Sequence, residues 1–335
     1  MTRLDADATE LTARRHGSGR ADRRSGPRAL LLTSREVPLG GVRAMEVHRT
    51  LPQRDLPMVG AWCFLDRFGP QTARMRVEPH PHIGLQTVTW PFTGEVHHRD
   101  SIGSDVVVRS GVLNLMTSGA GISHSEYSVG DDEVPLDALQ LWIALPEDRR
   151  HGEPAFERHE SLPIVDLPAA EGPAAAAIVV MGEFAGAASP ASAYTPLVGA
   201  ELRIPPGARV RLPLRPEWEY ALVGIDGDVA VDATDGDVLT PLRVQQLLYL
   251  GTDRNTIEVR SDAGASLFLL GGEPFDDDIV MWWNFVGRTH DEIVEAREAW
   301  EARSPRFGTV EGHGDVRIPA PPLPAVRLTA RRRRV

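Results

Sequence analysis

Two antiparallel β domains, with a single helix between the second of them and an extended tail, are what this 335-residue chain predicts. Three observations carry that reading. Short runs rich in β-formers are punctuated by Gly and Pro along most of the length, the pattern of a sandwich or barrel. Two such blocks of similar strand density are separated by an Ala/Pro/Gly-rich stretch, and the length itself suits two domains plus tails. A convincing helical period occurs once, near the C-terminal end.

In chain order, residues 1–35 are rich in Arg, Asp, Ser, Gly and Thr with little apolar periodicity, and are expected to be a disordered leader. Residues 36–166 form the first block. Its strand-like runs include Val42–Val47, Gln86–Trp90, Asp105–Val108 and Leu139–Ala144, with turns at Phe68-Gly69-Pro70, Thr93-Gly94 and Ser110-Gly111. Residues 167–177 read as a linker. Residues 178–288 form the second block, with IPPGARVRLPL, YALVGIDGDVAV, VQQLLYL, NTIEVRS and ASLFLLGG. That block has no histidine from Thr195 to Gly272, so a metal site belongs to the first block.

A helix is expected within 289–305. Thr289 and Glu292 have capping-box spacing, Ile293, Ala296 and Trp300 make an apolar stripe, and Ser304-Pro305 stops the segment. The preceding MWWNFV, Met281 to Val286, is too aromatic to be exposed and should pack between domains. Residues 306–335 read as an extended or disordered tail, with Arg331–Arg334 a solvated end.

Composition narrows the function. The formal net charge is −11 and every basic residue is arginine, which argues against direct nucleic-acid binding. One cysteine, Cys63, precludes an internal disulfide and fits a reducing cytoplasm; its place in AWCFLD makes a buried, inert thiol the expectation. The first apolar run, Ala29–Leu32, is too short for a secretory signal, and no run approaches the roughly 18 apolar residues of a membrane helix. A cytoplasmic monomer is expected.

The chemistry lies in two short motifs, His80-x-His82 in EPHPHIGLQTVTW and His124-x-Glu126 in MTSGAGISHSEYS. Residues two apart on a strand share a face, so each motif can aim two ligand groups into one space. If the strands are neighbours, three imidazoles and a carboxylate converge as a mononuclear transition-metal site with open positions. One such pair alone is weak; two in one β-rich block are much stronger. Pro79 and Pro81 place the first pair at a strand start or barrel mouth, because proline removes ladder donors. Three nitrogens and one carboxylate suit one divalent transition metal, Fe(II), Mn, Ni, Co, Cu or Zn, and disfavour Ca and Mg.

With these residues in hand, the sequence resembles the pirin family, the iron-binding branch of the bicupins. The matching stretches are FLDRFGP (Phe64–Pro70), PHPHIGLQTVTW (Pro79–Trp90), GEVHHRDSIG (Gly94–Gly103), MTSGAGISHSE (Met116–Glu126), LQLWIALP (Leu139–Pro146) and GGEPFDDDIVMWWNFVGRTHDEI (Gly271–Ile293). The resemblance implies two stacked cupin barrels with metal in the first, held by His80, His82, His124 and Glu126, and Fe(II) as the first choice of ion. General cupins often place a ligand glutamate four residues after the second histidine, where this chain has Gln86; pirins take Glu126 instead. Ile83-Gly84-Leu85-Gln86 and Ser110-Gly111 depart from the usual pirin text and bear on the charge of the mouth.

Two functions follow as expectations. One is a metal-dependent dioxygenase of the quercetin 2,3-dioxygenase kind, acting on a small aromatic substrate with O2, with Glu126 as catalytic base. The other is a non-enzymatic iron redox sensor that binds a regulatory protein partner. Lesser candidates are His97 and His98, which face opposite sides of one strand and are expected to be solvated or to brace a ligand. Asp66 is expected to cap a turn, or alternatively to hold a ligand histidine. Ser123 and Ser125 offer no Ser-His-Asp arrangement, the Ser118–Gly121 run is expected to be a tight turn delivering His124, and Trp90, Phe64 and Met116 are expected to be core rather than pocket wall.

Overall fold

The computed structural model describes residues 9–10, 26–39, 45–233 and 239–330. It is an all-β bicupin. In the N-terminal half a seven-stranded sheet runs in the order Ala155–His159, Leu113–Thr117, Leu85–Thr93, Val134–Ala144, Trp62–Ala73, Met45–Leu51 and Arg35–Leu39. Against it lies a four-stranded sheet ordered Arg76–His82, Ile122–Ser128, Glu95–Asp100 and Asp105–Arg109. Val47, Phe68 and Leu136 from the first meet Val96 and Val108 from the second in the barrel interior. The C-terminal half repeats the scheme with a nine-stranded and a five-stranded sheet, closed over Val198, Leu222, Val259 and Leu269.

The two large sheets then pack back to back. Trp62, Leu65, Val88, Trp90, Leu139 and Leu141 of the first meet Val180, Val223, Leu247, Tyr249, Phe268 and Leu270 of the second. A sheet covered on both faces must be apolar at both parities, which is why Leu139–Ala144 reads as a nearly continuous apolar run. Burying one such side chain contributes about 1.5–3 kcal/mol. Polar ties cross the same interface: Trp90 Nε1 donates to Glu201 at 2.8 Å, the Gly60 amide to Glu219 at 2.6 Å, and Arg67, paired with Asp137, to the Ile225 carbonyl at 2.6 Å.

Two segment expectations differ from what is built. Within the expected leader, Pro27–Thr33 is a strand paired with Gln246–Gly251, so the chain joins the far barrel's sheet before entering the near one. Leu30 and Leu32 bury at the barrel interface, a role four apolar residues cannot announce. Residues 1–8 and 11–25 lie outside the described residues. Within the expected linker, Ala169–Glu171 and Ala175–Phe184 are strands, and Ala175 and Ala177 are small residues of the second core. The helix spans His290–Glu301, with Thr289 accepting from the Glu292 amide and Ile293, Ala296 and Trp300 buried. Its Glu292 carboxylate turns to the Arg288 amide and to Arg150 rather than closing the reciprocal half of a capping box. The tail has one turn of 3-10 helix, Pro305–Phe307, crosses the four-stranded sheet as far as Ile318 and then packs against the helix to residue 330; Arg331–Arg334 lie outside the described residues. Among the described residues no helix is long and apolar enough to cross a membrane.

Candidate metal centre

The site is built on three strands of the four-stranded sheet. Arg76–His82 is its edge strand, which is why Pro79 and Pro81 are tolerated there. Ile122–Ser128 lies next to it with His124 directly across from His80, and Glu95–Asp100 flanks the other side with His98 across from Glu126. The turns that follow His82 and precede His124 are stitched together. Ser118 Oγ accepts from the Leu85 amide at 2.9 Å and donates to the Leu85 carbonyl at 2.7 Å, and the Gly84 amide donates to Gly119. The Ser118–Gly121 turn thus delivers His124 as expected. Gly84 is required: its φ is +69°, and a Cβ there would fall 2.1 Å from the Val286 carbonyl oxygen of the Val280–Gly287 hairpin.

His80, His82 and His124 come together, each buried, with one ligand nitrogen apiece lying within 4.8 Å of the others. The ring centroids are 4.3–5.0 Å apart, and His82 Nε2 lies 3.0 Å from His124 Nε2. Hydrogen bonding fixes one tautomer directly. His80 donates from Nδ1 to the Glu78 carbonyl at 2.9 Å, leaving Nε2 as a bare donor atom. Burial holds His80 down to about 4, and burial, reinforced by the neighbouring His80, holds His82 and His124 well below the ordinary imidazole range. Neutral imidazoles with converging nitrogens are what a transition ion needs. Two bound nitrogens at right angles on an ion with bonds of about 2.1 Å would sit roughly 3.0 Å apart, the spacing of the Nε2 pair. The residues fit a metal.

Glu126 is close but not in that triad. The register of its strand against Arg76–His82 shifts between His124 and Glu126, which carries the carboxylate toward the other flank. It groups instead with His98 and His124, again within 4.8 Å. Burial raises its pKa above the usual carboxylate range. The Thr89 hydroxyl lies 3.5 Å from Glu126 and 3.0 Å from Gln140 Oε1, and the shorter contact takes its single proton.

One wall is aromatic. Trp142 meets His82 edge-on at 5.3 Å, Phe64 stacks on Trp142 at 3.9 Å, and the Arg49 guanidinium covers Phe64 at 4.6 Å while gripping Asp66 through two 2.7 Å bonds. Phe64 is therefore core, as expected, closed between Trp142 and Arg49, and Asp66 neither caps a turn nor holds a histidine. Trp90 is buried at the barrel interface, and Met116 is buried opposite Thr87. Gln86 shares the parity of Val88 and Trp90 and bonds Thr117 and the Ser192 carbonyl, so the position where other cupins often ligate faces the second barrel. Cys63 is buried, its thiol pushed up to about 12 by desolvation.

The outer face of the ligand strand holds the C-terminal segment. Ser123 donates to the Phe307 carbonyl, Ser125 bonds His313 Nε2 at 2.9 Å, and Tyr127 bonds both His313 and Glu78. Three residues gave no sign in their spacing of a place beside the site: Asp100, Gln140 and His313. Of the adjacent pair His97 and His98, His98 is buried and bonded on both ring nitrogens, whereas His97 points out to Asp105. Strand parity separates them; only the register chooses which one faces in.

A pirin family model matches residues 43–143, and a model of the pirin C-terminal cupin domain matches residues 199–308. The chain belongs to the pirin family. This pirin is 41% identical over 297 residues, 88% of its length and 90% of the relative's, to a Pseudomonas aeruginosa protein named "Putative quercetin 2,3-dioxygenase PA1205". It is 34% identical to a "Pirin-like protein" of Caulobacter vibrioides, covering 87% of this chain and 99% of the other. Among solved structures it resembles a quercetin 2,3-dioxygenase from Acinetobacter baumannii, with a TM-score of 0.81 and 40% identity over 89% of this chain and 97% of that one. It also shares the fold of an Escherichia coli pirin solved with nickel(II), at a TM-score of 0.55, 18% identity and coverage of 71% and 96%.

Proposed function

We propose that this pirin is a metal-dependent dioxygenase of the quercetin 2,3-dioxygenase type, opening the ring of a flavonol-like substrate with O2. The observation that carries the reading is the convergence of three buried, neutral imidazoles beside a carboxylate of raised proton affinity and an aromatic wall. The names of the P. aeruginosa and A. baumannii relatives support it. His80, His82 and His124 would hold one divalent ion, Fe(II) first, with Glu126 completing the set. Bound there, the ion supplies Lewis-acid charge and open positions where substrate oxygens and O2 can be brought together.

The chain's own groups do the rest. Trp142, edge-on to His82 and backed by Phe64, is the aromatic group against which a flat substrate is oriented. Burial of the imidazoles, none more than 6% exposed, keeps water from the reacting atoms. Glu126, whose carboxyl is desolvated, accepts the proton of the substrate's enolic hydroxyl at a carboxylate oxygen. Thr89 then turns its hydroxyl between Gln140 and the Glu126 oxygen it already faces. Metal-loaded protein should be titrated with quercetin without air and then exposed to O2. One CO and one depside per O2 consumed are expected, and Glu126→Gln should keep the ion while losing turnover. Fully loaded protein that yields neither product refutes the proposal.

A further inference from the structure

Resting on the metal-centre reading above, we propose that His98 is a positioning residue: it stands between Asp100 and His124 and dictates which nitrogen His124 offers to the ion. His98 is 4% exposed, its ring stacks on Phe156 at 4.8 Å and tilts against His124 at 5.1 Å, and both nitrogens are occupied. Nε2 lies 3.2 Å from Asp100 Oδ2, and Nδ1 lies 3.3 Å from His124 Nδ1. Asp100 is itself buried and immobilised, its Oδ1 accepting the amides of Ile102 at 3.1 Å and Ser104 at 2.9 Å.

For a neutral His98 ring, proton placement then has one solution along the row. The Asp100 carboxylate only accepts, so His98 carries its proton on Nε2 and has a lone pair on Nδ1. That lone pair must accept, so His124 carries its proton on Nδ1. His124 Nε2 is left bare, and it is the nitrogen 3.0 Å from His82 Nε2. Outer contacts of this kind orient a ligand ring and strengthen it as a donor. The Glu78 carbonyl does the same for His80, so two of the three imidazoles are fixed from behind by different partners. The grouping of His98 with His124 and Glu126 admits a rival in which His98 binds a second ion directly, and the experiment separates the two.

Long-range 15N NMR of the full chain, labelled at histidine and stripped of metal, reads the tautomer without any ion present. His124 is expected protonated at Nδ1 in the wild type and to lose that preference in His98→Phe, which keeps the stacked ring but cannot accept. Cobalt(II) titration should give one ion per chain throughout, with a dissociation constant raised about 10–100-fold in His98→Phe. His98→Gln, whose amide can accept from His124 and donate to Asp100, should recover most of that loss. A merely structural role would move folding stability but neither the tautomer nor this rescue. Wild-type His124 protonated at Nε2, wild-type affinity in His98→Phe, or two ions per chain with one lost in His98→Phe would each overturn the proposal. Wild type that binds no cobalt refutes the metal centre instead, and the tautomer measurement still decides the role of His98.

Discussion

Metal-free protein should lose stability in acid through the imidazoles themselves, and His80 gives the size of the effect. Its folded pKa is about 4 against 6.5 for the free side chain, lowered chiefly by burial. The unfolded chain therefore binds a proton that the folded chain refuses, so stability falls as pH drops from 6.5 towards 4 and is unchanged above that window. The whole shift corresponds to roughly 3 kcal/mol. At about pH 5 the unfolded ring is nearly all charged and the folded one about a tenth charged, which costs about 2 kcal/mol. His82 and His124 are lowered as well and add in the same direction. Urea unfolding of chelator-treated wild type and His80→Leu, at about pH 7.5 and about pH 5, isolates the contribution. The variant's loss between the two pH values should be smaller by about 2 kcal/mol, whatever its starting stability. Equal losses in the two proteins would show that His80 is not held neutral by burial, and the argument for a preformed site would fail with it.

Cobalt(II) at about a hundred times its dissociation constant should raise stability by about 2.7 kcal/mol at neutral pH. In thermal scans the gain should fade towards pH 5, where protons compete for the same nitrogens. Gly84→Ala should destabilise by more than 1 kcal/mol and weaken metal binding, because the new Cβ collides with the Val286 carbonyl and the turn after His82 must move; calorimetry with cobalt titration checks both. Trp90→Phe should cost about 1–3 kcal/mol in urea unfolding by removing the 2.8 Å donor to buried Glu201, with cobalt affinity unchanged. Arg67→Leu should cost about 3–5 kcal/mol by the same measurement, since Asp137 is left unpaired and the Ile225 carbonyl loses its donor across the barrels.

The residues by themselves determined the class of fold, the order of the two blocks and the shared strand face of His80 and His82, because strand parity is local: positions two apart share a face wherever the strand goes. The helix and its buried stripe were legible for the same reason, in a period of 3.6. What depends on which strands are neighbours was not legible. Only the pairing of Glu95–Asp100 with Ile122–Ser128 puts His98 across from Glu126, and only the register shift after His124 moves Glu126 out of the histidine triad. Parity could say that Gln86 and Leu85 face opposite ways, but not that a second barrel covers the side Gln86 faces. Likewise Pro27–Thr33 becomes a strand because an edge of the far sheet is there to receive it. Local chemistry nominated the candidate ligands; long-range contact brought them together and chose what stands behind them.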